Sequence, residues 1–523
     1  MLASVEAAAI AAELIHLCQQ QASPLREIFV ESLRQTFHHA AARSAETLLA
    51  TGGWTALHWQ QLQMAQKLLA AGARSSRADS ASVIELALHL GAPLGQYMAD
   101  WENFLARTAD LCYLENPLNL VVRYWDMFVL RANDELLKDK TGYVDVAAEF
   151  QRLVGIPLHS LLSISFGLYA RAVRGSPGST SFHNFITDLG AWFSSTTVAP
   201  ETLRSYAEVM AQSADDYRTW AIEQLAAVGQ VTDDFAWDYS ELKIRPLVKA
   251  SDGSVVVLNL QYLLERSTSG IYHFMLTDSS RQNRDKFLTF FGYVYEYYLR
   301  RLFERVVAFP GAVISLEPEK PYGAGKLTSD VSLVHGADLY LLEIVSARWT
   351  RNARIAGEIA PFLERLMEKA NQLSRRLDDF VAGQFSVLGR TYLQFDRIFP
   401  VVVALEPLPN FSAGGSSSLS LGARLEQEAF TGGLFQQQRV QTIQTASAEE
   451  LEILEAFSAR SPTAFPQALS YRAGIDTERW GPLANTARRL NPGAPSGTDH
   501  QRRVLSDFSE SLGMALFQFE GPW

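Results

Sequence analysis

The sequence predicts an α+β chain of more than one domain, a largely α-helical N-terminal half followed by an α/β domain built on a mixed central sheet. Three observations carry that prediction. At 523 residues the chain exceeds a single ordinary core, since domains run to roughly 100–200 residues. From residue 1 to about 235, apolar residues recur at helical spacing with few alternating β-branched runs. Past about residue 236, short strand-like runs appear at 243–248, 254–258, 312–316, 328–334, 339–346 and 400–405, flanking two long periodic helices at 286–307 and 352–380.

Within the helical half, Asn116-Pro117 reads as a cap followed by proline at the first helical position, leading into Leu118, Val121, Val122, Trp125 and Val129 on one face. Another helix is expected to follow Pro200 and to stop at Gly229. The run from Arg174 to Ser181 is a loop by composition and divides the half into two helical subdomains. The expected domains are therefore 1–235 and 236–523, the second with a core at about 285–405 and a C-terminal extension. In that extension, 440–445 resembles a strand, Ser447 and Glu450 form a capping box before Leu451, and 411–422 and 491–498 read as surface connections.

A hydrophobic fraction of 47%, a charged fraction of 20% and a net charge of −11 describe an ordinary globular composition. They exclude a surface that coats nucleic acid by bulk positive charge, so any such contact must use a local basic patch. Cys18 and Cys112 stand far apart with no partner at metal-ligand spacing, which argues against a zinc site or a disulfide framework and fits a cytoplasmic setting. Glu6 and Glu13 interrupt the apolar N-terminus, which reads as an amphipathic helix and not as a signal peptide. The apolar stretch Ile156 to Ala170 falls short of the ~20 residues of a membrane span, so no membrane partner is expected.

The chemistry-bearing feature is the run from Ser329 to Val345, two alternating strands joined by Gly336-Ala337, with glycine first as a primed two-residue turn prefers. That turn pairs His335 with Asp338, and continuing the pairing brings Asp330 opposite Glu343. Directly opposed residues have Cβ atoms ~4.5–5.5 Å apart, and like charges so placed repel unless neutralised. A divalent cation is a natural neutraliser, because Mg²⁺ takes one or two carboxylates and fills its other positions with water and phosphate oxygens. Leu341 and Val345 share the face of Glu343, placing that acid against an apolar surface where it is costly without purpose. The alternatives are a register slipped by one residue, or one carboxylate turned to solvent.

In these elements the C-terminal half resembles the PD-(D/E)XK nuclease superfamily, whose core runs helix, strands with the acids on a central hairpin, a second helix and a further strand. The resemblance covers roughly residues 285 to 405 and implies a restriction-endonuclease-like fold with Mg²⁺ (or Mn²⁺) as cofactor and nucleic acid, DNA or RNA, as substrate. It makes Asp330 the first acid and Glu343 the second. Glu296, four residues after Gly292 on the preceding helix, matches the glutamate the family often adds, with the glycine permitting close approach to the sheet and the glutamate reaching the metal as a third ligand; the alternative is an acid paired with Arg300. The family's lysine two residues after the second acid is replaced by Val345. Of the substitutes, Lys326 lies ~13 Å along the strand from Asp330, Arg348 is always protonated, and Lys369, at the edge of the apolar stripe Leu363, Leu366, Ala370, Leu373 and Leu377, is preferred.

Arg354, Arg365, Lys369, Gln372 and Arg376 share one flank of that second helix at ideal spacing. With Arg348 and Arg351 they are candidates for contacting a phosphate backbone, or else form a solvated face offset by Glu358 and Glu364. The resemblance implies a nuclease in bacterial anti-phage defence, its helical half sensing a protein trigger or gating the site. The alternative is a catalytically inert nuclease-like module for binding or assembly, which Val345 favours. Other signals are set aside: Gly323-Ala-Gly-Lys326 lacks the Ser or Thr and first glycine of a phosphate loop, His38-His39 reads as a helix surface pair, and His335 flanks the turn on the face away from the acids.

Overall fold

The computed structural model describes residues 116–513 except 174–181, 214, 218, 221–222, 224–238, 251, 278–279, 349–359, 407–420, 435–438, 476–481 and 494–496. The expectations for the N-terminal helix, Cys18, Cys112, His38-His39, Arg351 and Arg354 lie outside those residues. The chain is α+β, with a helical N-terminal region and mixed sheets in its C-terminal part.

Helix α1 (Pro117–Trp125) starts where the sequence places it: Asn116 Oδ1 accepts from the Leu118 N–H at 2.9 Å, and proline fills the first helical position. It continues as a π-helical segment, Asp126–Arg131, followed by α2 (Glu135–Lys138), α3 (Val146–Val154) and α4 (Leu158–Val173). The apolar character of α4 is that of a core helix, because Leu161, Leu162, Ile164, Phe166 and Leu168 are all buried. Among the described residues no single helix is long and apolar enough to cross a membrane; α3 and α4 pass such a test only together, and they are bent by 74°.

Helix α5 (Pro200–Met210) ends well before Gly229, because Ala211–Ser213 leaves the helix to pair as a strand. The strands β1 (Ile186–Thr187), β2 (Ala211–Ser213), β3 (Leu247–Lys249) and β4 (Val255–Val257) form one sheet in the order β1-β4-β3-β2. This sheet crosses residue 235, the division expected from the change of sequence texture. Residues 243 and 244, expected to open a strand, instead close a short helix, Ser240–Ile244.

The second sheet carries the hairpin. Helix α7, which follows α6 (Leu260–Ser267), is Arg281–Ala308, capped by Ser280 and followed by Pro310. Next come β5 (Ile314–Pro318), the small pair β6 (Pro321–Gly323) and β7 (Lys326–Leu327), then β8 (Val331–His335), β9 (Asp338–Val345), α8 (Ala360–Val381) and β10 (Arg397–Ala404). β11 (Gln444–Ser447) completes a five-stranded mixed sheet of order β11-β10-β9-β8-β5, antiparallel among β5, β8 and β9 and parallel among β9, β10 and β11.

Period-two alternation along β9 decides which helix each side chain meets. Tyr340, Leu342 and Ile344 pack with the α7 residues Phe291, Val294 and Tyr298, in a core that also holds Leu120 near one end of the described chain and Leu512 near the other. Leu339, Leu341 and Val345 pack with Leu363, Leu366, Ala370, Leu373 and Leu377 of α8 in a second core. Glu343 belongs by parity to this second face.

After β11, the Ser447 and Glu450 capping box forms as expected, with Glu450 accepting from the Ser447 N–H at 2.8 Å. It opens α9 (Ala448–Ser458), and α10 (Ala464–Gly474), α11 (Leu483–Leu490) and α12 (Asp499–Leu512) follow. Buried ion pairs fasten α9 to the rest: Arg123 of α1 grips Glu452 through Nε at 2.6 Å and Nη2 at 2.9 Å, and Tyr298 of α7 donates to the same carboxylate at 2.8 Å. Arg305 of α7 grips Glu455 in the same two-pronged way, at 2.6 and 3.1 Å.

Candidate metal and phosphodiester site

The hairpin register is the one the sequence predicts. His335 pairs with Asp338 across Gly336-Ala337, Gly336 takes the positive φ of +59° that such a turn requires, and pairing runs out to Val331 with Leu342. The next position outward holds Asp330 and Glu343. Asp330 Oδ2 accepts from the Ile344 N–H at 2.7 Å, which pins the first acid beside the second. Both acids are buried, Glu343 completely.

Helix α8 supplies the cations. Lys369 and Arg376 lie two turns apart on the flank facing β9, so both heads reach the acids. Lys369 Nζ stands 3.3 Å from Asp330 Oδ2 and 3.5 Å from Glu343 Oε2. The Arg376 guanidinium donates to Glu343 Oε1, approaches Asp330 Oδ1 at 3.6 Å and reaches Glu319 Oε1 at 3.5 Å. Val345, at the position where the resemblance expects lysine, is a core residue under α8. The ammonium beside the acids thus comes from the helix instead of the strand, as the preference for Lys369 anticipates.

Two further carboxylates complete the cluster. Burial, then the charges of Asp330 and Glu319, raise the Glu296 carboxyl on α7 to about 7, partly opposed by Lys369 and Lys140. Glu319, just beyond β5, is raised by burial and by Asp330 against the pull of Arg376, Lys369 and Lys140. Four acids therefore share two close cations, Lys369 and Arg376. Glu343 Oε2 is buried without a hydrogen-bond donor, the Lys369 ammonium standing at ion-pair distance from it, 3.5 Å. Glu319 escapes sequence reasoning because it belongs to a connection between strands, where no periodicity assigns a direction; its only signal is proximity in the chain to a hairpin bearing acids.

The expected phosphate contacts divide: those of Arg348 and Arg376 are corrected, whereas Arg365 and Gln372 keep surface positions that do not contradict theirs. Arg348 does not face outward: it is bonded to Glu406 at 2.9 Å and to the Ser269 carbonyl at 2.8 Å, and packs over Tyr272. Arg376 is buried within the acid cluster and not on a phosphate-facing surface. Arg365 is exposed and paired with Glu368 at 2.9 Å. Gln372 lines an open hollow of about 610 Å³ with Arg375 and Lys326, and Lys326 is held by Asp379 at 2.9 Å, away from the acids. Glu296 does not pair with Arg300, whose closest acid is Glu304 at 3.7 Å. At Gly292 an added Cβ would meet only Ser346 Oγ at an ordinary 3.7 Å, so close approach to the sheet does not require glycine there.

On the α7 side the cluster opens into a cleft of about 340 Å³ whose lining includes Asp330, Glu296, Tyr293, Arg300 and Lys140. Among the described residues no three His, Cys, Asp or Glu side chains converge closely enough to hold a metal ion alone. A pair of carboxylates supplemented by water and phosphate oxygens is nonetheless the usual way to hold Mg²⁺. An undonated buried oxygen on Glu343 beside Asp330 fits that donor set, with Arg376 and Lys369 neutralising the pair in its place. Comparisons with protein-family models, with curated proteins and with solved structures give no match.

Proposed function

We propose that the chain is a divalent-metal-dependent nuclease of PD-(D/E)XK type, with Asp330 and Glu343 holding Mg²⁺ or Mn²⁺. The observation that carries this reading is the acid excess: Glu296, Glu319, Asp330 and Glu343 gather around the open end of the central hairpin beside a cleft, while a lysine from the next helix reaches both hairpin acids. The order helix, β-strand, acid hairpin, helix, parallel strand supports it as well.

When bound, the ion would polarise a phosphate and make an attacking water more acidic. The chain's own residues do the rest. Glu296, titrating near neutrality, takes the proton as water attacks phosphorus, and Lys369 faces the negative charge that gathers on the phosphoryl oxygens. The P–O bond to the leaving oxygen then breaks, that oxygen takes a proton from solvent water, and Glu296 later returns its own proton to solvent. The anti-phage setting and the trigger-sensing role of the helical half rest on the resemblance alone.

Incubation of the full chain with plasmid, linear DNA and total RNA in Mg²⁺ or Mn²⁺ tests the reading. Cleavage by wild type, abolished in Asp330→Ala and Glu343→Ala and reduced about 10²-fold in Lys369→Met, is the expected result. One observation favours a second reading, an inert nuclease-like binding module: Arg376 alone engages Glu343, Asp330 and Glu319. Absence of cleavage, together with no metal-induced rise in thermal stability, would overturn the nuclease in favour of that module.

A further inference from the structure

Resting on the nuclease reading, we propose that the cleft beside Asp330 is a subsite for single-stranded nucleic acid, in which Lys140 of the helical region holds a phosphate and Tyr293 supports the attached base. A cleft of about 340 Å³ is at the small end of ligand pockets, which run to roughly 300–1,000 Å³. One nucleotide unit fits that scale, and a duplex does not. Its wall includes Leu136, Leu137 and Lys140, from α2 and the turn after it, so the helical region narrows the approach to the acids.

The electrostatics point the same way. The floor is acidic, with Glu296 and Asp330, and a phosphate entering there needs a cation at the mouth. Arg300 lines the cleft but stands 3.7 Å from Glu304 and packs over Tyr297, and Tyr297 spends its hydroxyl on Asp134 at 2.8 Å. Lys140 is exposed, and among the described residues no carboxylate lies within ion-pair distance of it; its ammonium rests 5.1 Å from the centre of the Tyr293 ring. A cation poised over a half-exposed aromatic ring is the pairing that single-strand binders use, charge for the backbone and a ring for the base.

The test reads binding by fluorescence anisotropy in Ca²⁺ and turnover in Mg²⁺ or Mn²⁺, using the full chain with a labelled single-stranded oligonucleotide and its blunt duplex. The expected result is at least about tenfold tighter binding of the single strand. Lys140→Ala should weaken it about tenfold and lower the salt slope by roughly one, Lys140→Arg should retain it, and Tyr293→Leu should weaken the single strand more than the duplex. Equal binding of duplex and single strand, or Lys140→Ala indistinguishable from wild type, overturns the subsite even if the enzyme cleaves. Lys140-dependent binding of the single strand without cleavage supports the subsite and overturns the turnover reading instead.

Discussion

Two buried charge clusters in this molecule are built on opposite principles. Around α9, two arginines meet two glutamates in two-pronged bonds, Arg123 with Glu452 and Arg305 with Glu455, and a tyrosine hydroxyl adds a further donor to Glu452. Around the hairpin, four acids crowd two close cations, one carboxyl is pushed to about 7, and one buried oxygen finds no donor. Burying charge is costly unless it is matched and hydrogen-bonded. The α9 cluster meets that condition and reads as a fastening; the hairpin cluster violates it, and the violation is what singles it out as the candidate site.

The comparison is broken most directly by removing one acid from each cluster. Glu452→Ala strips Arg123 of its bidentate partner and should cost about 3–5 kcal/mol, read as a fall in the urea midpoint. Glu343→Gln removes one member of an overcrowded group, and Arg376 keeps Asp330 and Glu319; it should cost about 1 kcal/mol or less. Equal losses would erase the distinction between fastening and site.

A pH series sharpens it. Because the folded Glu296 carboxyl sits near 7 against an ordinary 4.5, the folded state holds a proton that the unfolded chain has already released. Its contribution is therefore present below about pH 4.5 and lost as pH rises through about 7. Glu296→Gln should leave stability nearly unchanged at pH 4 and raise it by roughly 2 kcal/mol at pH 8, measured by denaturation at both pH values. A flat difference between the two proteins would show that neither burial nor Asp330 raises the Glu296 carboxyl.

The smallest effect belongs to the surface. Arg365, with a side chain 67% exposed, pairs with Glu368 three residues on. Arg365→Ala should change stability by less than about 1 kcal/mol and leave nucleic-acid affinity within twofold; a tenfold loss of affinity would instead support the phosphate contact that its position on the helix flank suggests.

How much of this was legible in the sequence depended on whether a period or a turn fixed the answer. Gly336-Ala337 set the register, and the register set Asp330 against Glu343 before any contact was known. Helical spacing places Lys369 and Arg376 on one flank but gives only an angle, not a depth, so Arg376, a buried partner of the acids, looks from spacing alone like a surface cation. The burial of Arg348 is hidden for a related reason: nothing near it in sequence announces Glu406, which follows the neighbouring parallel strand β10. The strands at 186–187 and 211–213 are too short to show alternation, and the helix after Pro200 was extended through residues that tertiary pairing with β3 pulls into a strand. Glu319 and Lys140 reach the cluster from a connection and a turn, where sequence spacing carries no direction.

The clasp of Arg123 and Tyr298 on Glu452 also bears on cutting the molecule up. Residues 281–404 contain α7, the hairpin, α8 and four of the five strands around the site, yet the α7 face of that sheet is covered by segments from before residue 281 and after residue 447. A fragment trimmed to the site would expose Phe291, Tyr295 and Tyr298 to water and strand a tyrosine hydroxyl, and should precipitate where the longer chain stays in solution. Excision, the usual shortcut to an isolated catalytic core, is closed off by the way the two ends of the described chain fold over its middle.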